Sequence, residues 1–341
     1  MSGKKWIYAK RPEGEVTSEH YTLEQEEIPT EDQLENGEIL IKTLYCSVDP
    51  YMRIQQSSLN TWEAPHPLGQ VQGSGTIGRV IYSKDANIKV GDIVSAYTGW
   101  REYAKLNGSN ASVINFGDSI PITYALGILG MPGRTAFFGL LEVGKPAQGE
   151  TLVVSGAAGA VGSIVIQIGL LKGCRVVAIA GGEEKINYLK SLGCETINYK
   201  NYPTANQMLE ALKSACPNGI DIYFDNVGGH ITDAVFHLIN LRARIIICGQ
   251  ISQYNGGLDS PEMGPRFLHK ILYTRATIQG ILARDYTHRM SEMVAEMSKW
   301  IKNGEIKYQE TVVEGFDNLP SALNMLFYGK NNGKLLVKVS E

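Results

Sequence analysis

The period of the apolar positions changes near residue 125. Before it, short apolar runs broken by glycine and proline predict strands at Glu38–Cys46, Gly75–Tyr82, Asp92–Tyr97 and Glu102–Lys105. Glycines 69, 73, 75 and 78 punctuate this stretch, as a small twisted barrel with tight corners requires. After it, strand patterns centred on Val153, Val177, Ile197, Ile222, Ile246 and Ile278 alternate with helical ones. Val161, Ile164, Val165 and Ile168 fall on one helical face, as do Ile231, Val235 and Leu238. Strands separated by one helix each predict right-handed crossovers and a parallel sheet covered on both faces. A longer helix is predicted over Thr287–Lys302, with Met290, Met293, Val294, Met297 and Ile301 facing the core. The tail then returns to strand (Lys307–Val313), helix (Asn318–Phe327) and strand (Leu335–Val339). The pattern predicts an α/β chain in which a doubly wound parallel sheet, residues 126–303, is inserted into a discontinuous β-rich domain, residues 1–125 and 304–341.

Composition narrows the partners. The 341 residues are 43% hydrophobic and 20% charged with a net charge of -3, so no basic field exists for nucleic acid or anionic membrane. The densest charge run, Glu24–Glu38, holds seven acids and no base and reads as a solvated loop before a strand. Lys4 and Lys5 are not followed by an apolar core, so no signal peptide is expected. Thr151–Leu171 carries no charge, but its four glycines with Ser155, Ser163 and Gln167 predict a buried strand–turn–helix rather than a membrane span. Cys46, Cys174, Cys194, Cys216 and Cys248 are scattered and never in CxxC spacing, which predicts reduced thiols in a cytoplasmic protein.

The turn Ser155–Gly162 reads SGAAGAVG, with Ala157, Gly159 and Gly162 in the three places of GxGxxG. Gly159 would let the backbone approach a pyrophosphate, and Gly162 would let the following helix pack closely on the strand. Ala160 and Val161 complete the turn, and the helix N-terminus offers unpaired N–H groups to phosphates. Placed between strand and helix, the pattern predicts a Rossmann dinucleotide site. The next strand ends in Ala180-Gly181-Gly182, without the acid that binds the adenosine ribose of NAD. Lys185 follows one helical turn on, where its ammonium would reach a 2′-phosphate, so the expected cofactor is NADP(H). Glu183 and Glu184 are expected in the first turn of that helix, where negative charge complements its dipole.

Cys46 followed by His66 resembles a pair of catalytic zinc ligands, but His66 lies between Pro65 and Pro67. The third ligand that catalytic zinc needs is missing from Gly69-Gln70, and no cluster of four cysteines exists, so no metal is expected.

Several longer motifs, SVDPYMR (Ser47–Arg53), GMPGRTAFFGL (Gly130–Leu140), FDNVGG (Phe224–Gly229), CGQISQYN (Cys248–Asn255) and GKNNGKLLVKV (Gly329–Val339), extend the pattern over nearly the whole chain. In these the chain resembles the zinc-independent medium-chain reductases of the prostaglandin reductase and alkenal double-bond reductase group. The resemblance implies a GroES-like fold for the β-rich domain. It implies Lys185 as the 2′-phosphate ligand with Tyr199 beside it, and Asn226 and Asn331 as further cofactor contacts. Gly130, Met131 and Thr135 would line the nicotinamide side, and Gly181, Cys248, Gly249, Ile251 and Ser252 would belong to the cofactor loops. Arg134 departs from the group, which commonly has a smaller or apolar residue there.

Members of that group transfer hydride from NADPH to the β-carbon of an α,β-unsaturated aldehyde or ketone. An enolate formed without a metal needs hydrogen-bond donors, and Tyr254, just past the fifth strand of the sheet, is the candidate. The resemblance adds Tyr51 and Tyr273 as walls of the substrate pocket and makes a homodimer plausible. Two other readings stay open: a quinone reductase or alcohol dehydrogenase on the same fold, and an NADPH-binding protein without turnover.

Overall fold

A computed structural model describes residues 2–58, 61–256 and 263–341. The chain divides into two compact units, 127–309 with 332–334, and 1–126 with 310–331 and 335–341.

The first of these is built on a six-stranded parallel sheet. Its strands are β1 (Thr151–Ser155), β2 (Arg175–Ala180), β3 (Glu195–Asn198), β4 (Ile220–Asp225), β5 (Ile239–Ile247) and β6 (Thr277–Gly280), in the order β3-β2-β1-β4-β5-β6. Every residue of β1 is buried, as a central strand covered on both faces requires. Val153, Val177, Ile179, Ile220 and Tyr223 carry one core face with Met208, Leu212 and Val235. Each such aliphatic side chain contributes roughly 1.5–3 kcal/mol by leaving water. The helices used below are α1 (Met131–Phe138), α2 (Gly162–Leu171), α3 (Glu183–Ser191), α4 (Gly229–Phe236), α5 (Leu268–Thr274) and α6 (Met290–Lys302). The chain order reverses between β1 and β4, so the carboxyl ends of these strands flank the crevice where doubly wound sheets bind ligands.

The second unit is antiparallel. Strands at Glu38–Ser47, Gly75–Ser83, Ile93–Tyr97 and Tyr103–Asn107 pair with one another, and Lys334–Lys338 returns to pair with Glu38–Ser47. A smaller sheet sets Ser2–Tyr8 between Tyr21–Glu27 and Gln70–Val71. Its core gathers Trp6, Tyr8, Tyr21 and Trp100 with Phe316 and Leu319.

Three expectations change. The acidic run is not wholly loop: Glu24–Glu27 finish the strand Tyr21–Glu27, where Glu24 and Glu26 pair with Lys5 across the sheet. Cross-strand charge neutralisation lets an acidic segment pair, which its local composition does not reveal. The helix expected from Thr287 begins at Met290, after a 3-10 stretch over Ala283–Arg289 that is kinked at Tyr286. The strand expected at Lys307–Val313 runs Glu310–Glu314, because the backbone of Lys307 is held by Gln167 instead.

Candidate functional site

At the end of β1 the chain turns through Gly156, whose φ of +60° lies in the left-handed region that a side chain disfavours. The tight-turn place assigned to Ala157 therefore falls one residue earlier. Ala157 is buried, and its N–H donates to the Ile179 carbonyl of β2 at 3.0 Å. α2 starts at Gly162, where a Cβ would lie 2.3 Å from the Gly156 carbonyl oxygen. Gly159 differs: the nearest atom to a Cβ there is the Gly156 oxygen at 3.2 Å, and the position opens outward. With half-buried Ala160 and Val161 it forms a backbone cradle that a side chain would fill. Gly333 donates to the Ala158 carbonyl at 2.9 Å and bridges Gly159, which brings the GKNNGK segment onto the turn.

The tip of β2 gathers basic and aromatic groups around Gly181. A Cβ on Gly181 would lie 2.6 Å from the Tyr199 ring and 3.1 Å from Lys200 Cε. Lys185, half-buried in the first turn of α3, has its ammonium pKa held below the ordinary value by burial, and further by the charge of Lys200. Both neighbouring acids are hydrogen-bonded to asparagines, while the charge of Glu184 still raises the Lys185 pKa. Glu183 Oε1 accepts from Asn198 Nδ2 at 3.1 Å, and Glu184 Oε1 accepts from Asn332 Nδ2 at 2.6 Å. The donor set at this strand end thus suits a phosphate rather than a ribose diol. Lys200 is a residue that motif reading passed over; its only signal was its place beside Tyr199.

The ends of β4 and β5 are joined by one buried carboxylate. Asp225 Oδ1 accepts from the Ser155 and Tyr223 hydroxyls, each at 2.9 Å, and from the backbone N–H of Val227 at 3.0 Å and Gly228 at 2.9 Å. Its Oδ2 accepts from the Thr232 hydroxyl at 2.6 Å, and its backbone oxygen accepts from Cys248 and Gly249. Asn226 donates from Nδ2 to the Ser155 carbonyl at 2.7 Å. Ile251 N–H donates to the Asn226 carbonyl, and Ser252 donates from both N–H and hydroxyl to Val227. These bonds draw Asn226, Cys248, Gly249, Ile251 and Ser252 into one loop cluster beside the glycine turn.

Tyr254 closes that cluster. It is 8% exposed, and its hydroxyl oxygen accepts from the Gln250 N–H at 2.9 Å. The oxygen stands 2.7 Å from where a Cβ on Gly249 would be, so the glycine makes room for the phenol. Burial pushes its pKa up to about 12, so the hydroxyl keeps its proton at neutral pH. With one lone pair engaged by Gln250, the O–H remains available to donate.

Two family models match the chain: one described as the N-terminal domain of oxidoreductase over residues 4–114, the other as zinc-binding dehydrogenase over residues 160–299. The chain is 40% identical over 340 residues to an NADPH-dependent curcumin reductase of Escherichia coli (strain K12), covering 99% of this chain and 97% of that one. It is 38% identical over 341 residues to prostaglandin reductase 1 of Mus musculus, covering 99% of each. The chain belongs to the medium-chain dehydrogenase/reductase family. The solved structure of CurA from Vibrio vulnificus in complex with NADPH superposes with a TM-score of 0.91 at 44% identity, over 99% of both chains.

Among the described residues no three His, Cys, Asp or Glu side chains gather as metal ligands would. Cys46 is fully buried in its strand, which pushes its thiol pKa up, and His66 Nε2 lies 2.9 Å from the Val71 carbonyl. Burial holds the His66 pKa below the usual imidazole value.

The remaining expected residues lie on other elements. Gly130 caps α1, and the Thr135 hydroxyl donates to the Met131 carbonyl at 2.9 Å within the same helix. Arg134, the departure from the group, donates to the Thr287 hydroxyl at 3.2 Å. Tyr273 lies on α5 and is 71% exposed in the single chain, edge-on to His269. Tyr51 and Asn331 belong to the antiparallel unit, where Asn331 is buried and Tyr51 is hydrogen-bonded to Tyr97. Tyr97, which the motifs did not single out, is also bonded to Gln55.

Proposed function

We propose that this chain is an NADPH-dependent reductase of the carbon–carbon double bond in α,β-unsaturated aldehydes and ketones. The observation that carries the reading is Tyr254: a phenol at the crevice end of the sheet, held by a backbone N–H and kept protonated by burial. NADPH, when bound, supplies the hydride. The glycine turn cradles its pyrophosphate through the outward-open Gly159, and Lys185 with Tyr199 takes its 2′-phosphate. Asn226 Oδ1 accepts from a ribose hydroxyl. Tyr254 donates its O–H to the substrate carbonyl oxygen, which becomes the enolate oxygen as hydride reaches the β-carbon; a proton taken up at the α-carbon then gives the saturated carbonyl.

The test is a panel of enals, enones, quinones and simple carbonyls offered with NADPH and NADH, with product analysis. Saturated carbonyl products from NADPH, unaffected by a chelator, are expected. Allylic alcohols as products would transfer the activity to C=O reduction, and tight NADPH binding without oxidation of any acceptor would leave a binding protein.

The exposed edge of the parallel sheet fits a second copy of the chain. All four residues of β6 are exposed and no residue of α5 is buried. Leu268, Leu272, Tyr273 and Ile278 lie bare beside the open strand edge, an arrangement that single chains in solution avoid. Sedimentation should give a dimer, and Ile278→Lys a monomer; a wild-type monomer at working concentration would remove this assignment. The buried thiols are consistent with the cytoplasm as its location, and no helix of the described residues is long and apolar enough to cross a membrane.

A further inference from the structure

Lys185 and Lys200 are fifteen positions apart in sequence, yet the fold brings them together across the bare end of β2. Lys200 is fixed by the 3-10 turn Tyr199–Asn201, where its N–H donates to Asn198 Oδ1 at 3.3 Å. Its aliphatic stem reaches back so that Cε passes 3.1 Å from the Cβ position of Gly181. The missing side chain at Gly181 therefore does more than vacate the ribose position: any larger residue would push both Tyr199 and Lys200 away.

We infer that Lys200 is a second cationic ligand for the 2′-phosphate of NADPH, and that Asn198 and Asn332 are positioning residues that hold Glu183 and Glu184 clear of it. This rests on the proposed NADPH specificity. Two ammonium groups within Coulombic reach, one half-buried, repel each other until an anion sits between them. The pKa of Lys185 is lowered first by burial and then by the charge of Lys200, with the neighbouring Glu184 charge acting in the opposite direction. Among the described residues Lys200 makes no ion pair that would relieve the repulsion. A phosphate monoester, with about −1.5 to −2 charges at neutral pH, matches two lysines better than one.

The same arrangement explains how two consecutive acids coexist with a phosphate site. Asn198 both donates to Glu183 Oε1 at 3.1 Å and accepts at Oδ1 from the Gly182 N–H at 3.3 Å, so it ties the acid to the strand end. Asn332 does the equivalent for Glu184 at 2.6 Å. Without these clamps either carboxylate could swing toward the lysines, neutralise them and present acceptors to a ribose diol, which is how NAD-specific strand ends work.

The experiment measures the binding of 2′,5′-ADP and 5′-AMP to the full chain by calorimetry, and kcat/KM with NADPH and NADH. Lys200→Met keeps the stem and removes the charge. It should weaken 2′,5′-ADP and NADPH roughly tenfold or more, the loss of one charge-assisted bond, and leave 5′-AMP and NADH unchanged. Lys200→Arg should retain most of the preference, and Asn198→Ala should shift it in the same direction as Lys200→Met by a smaller factor. An unchanged NADPH/NADH ratio in Lys200→Met, alongside its collapse in Lys185→Met, overturns the role of Lys200 and leaves the cofactor assignment standing. A wild-type chain that binds 5′-AMP and 2′,5′-ADP equally overturns both together.

Discussion

The Gln250 N–H donates to the Tyr254 hydroxyl across 2.9 Å, and this one bond sets what the phenol can do. It occupies an acceptor position on the oxygen, which lies against Gly249, and leaves the O–H as a donor. Tyr254→Phe should lower kcat/KM for enones by roughly 10²–10³-fold, the usual cost of removing an oxyanion donor. NADPH affinity should change little. An unchanged kcat/KM would take the tyrosine out of the chemistry.

Gly249→Ala tests the same geometry without touching the phenol. The added Cβ would stand 2.7 Å from Tyr254 Oη, so the ring must move off its Gln250 donor. The expected outcome is a drop in kcat of at least about tenfold from misplacement alone. Equal kcat in the variant and parent would mean that the position of the ring is not critical.

The two glycines of the turn should fail differently. Gly162→Ala brings Cβ to 2.3 Å from a backbone oxygen and should destabilise the protein by about 1–3 kcal/mol, read as a lower urea midpoint. Gly159→Ala meets only a 3.2 Å contact. It should fold with nearly parental stability and lose NADPH affinity, because the methyl enters the pyrophosphate cradle.

The alkaline dependence follows from the two shifted groups. The proposed 2′-phosphate ligand is the Lys185 ammonium, whose pKa is lowered from the ordinary 10.5 by burial and Lys200. NADPH affinity is therefore present below that lowered value and lost as pH rises through it, earlier than an unperturbed lysine would lose it. On the acid side affinity should also fall below about pH 6, where the 2′-phosphate takes up a proton. KM for NADH should stay level on both sides. Tyr254, raised to about 12, keeps its proton throughout this window and adds no alkaline limb of its own. A KM for NADPH that did not change with pH would contradict the role of Lys185.

Asp225 should be the costliest residue of the loop cluster to remove. Asp225→Ala leaves buried donors from Ser155, Tyr223, Val227, Gly228 and Thr232 without their acceptor. A loss of about 3 kcal/mol or more is expected, because unsatisfied buried donors retain their full desolvation penalty. Denaturant unfolding reads it directly. Near-parental stability would mean that water replaces the carboxylate.

Much of the parallel unit was legible because its signals are local. Val153, Val177, Ile197, Ile222 and Ile246 fall within observed strands because strands covered by helices on both faces must be apolar, and Ile278 marks the exposed edge strand. The antiparallel unit was legible only in part. Strand Ser2–Tyr8 mixes exposed, half-buried and buried residues, and its partner Tyr21–Glu27 is largely exposed and acidic, so neither shows a clean alternation. A motif position also does not state which way its helix faces: Tyr273 is 71% exposed in the single chain.

By itself the sequence determined the alternation of strands and helices in the parallel unit, the glycine turn and the missing acid after Ala180, because each depends on neighbouring residues or on a side chain that is simply not there. The family motifs it carries likewise needed no coordinates. Tertiary structure alone decided that Gly156 rather than Ala157 takes the left-handed turn, that Asp225 unites three loops, and that Lys200 stands beside Lys185 while Asn198 and Asn332 draw the acids aside. Those relationships join residues from different strands and loops. Their energies depend on distance and burial, which exist only once the sheet has assembled.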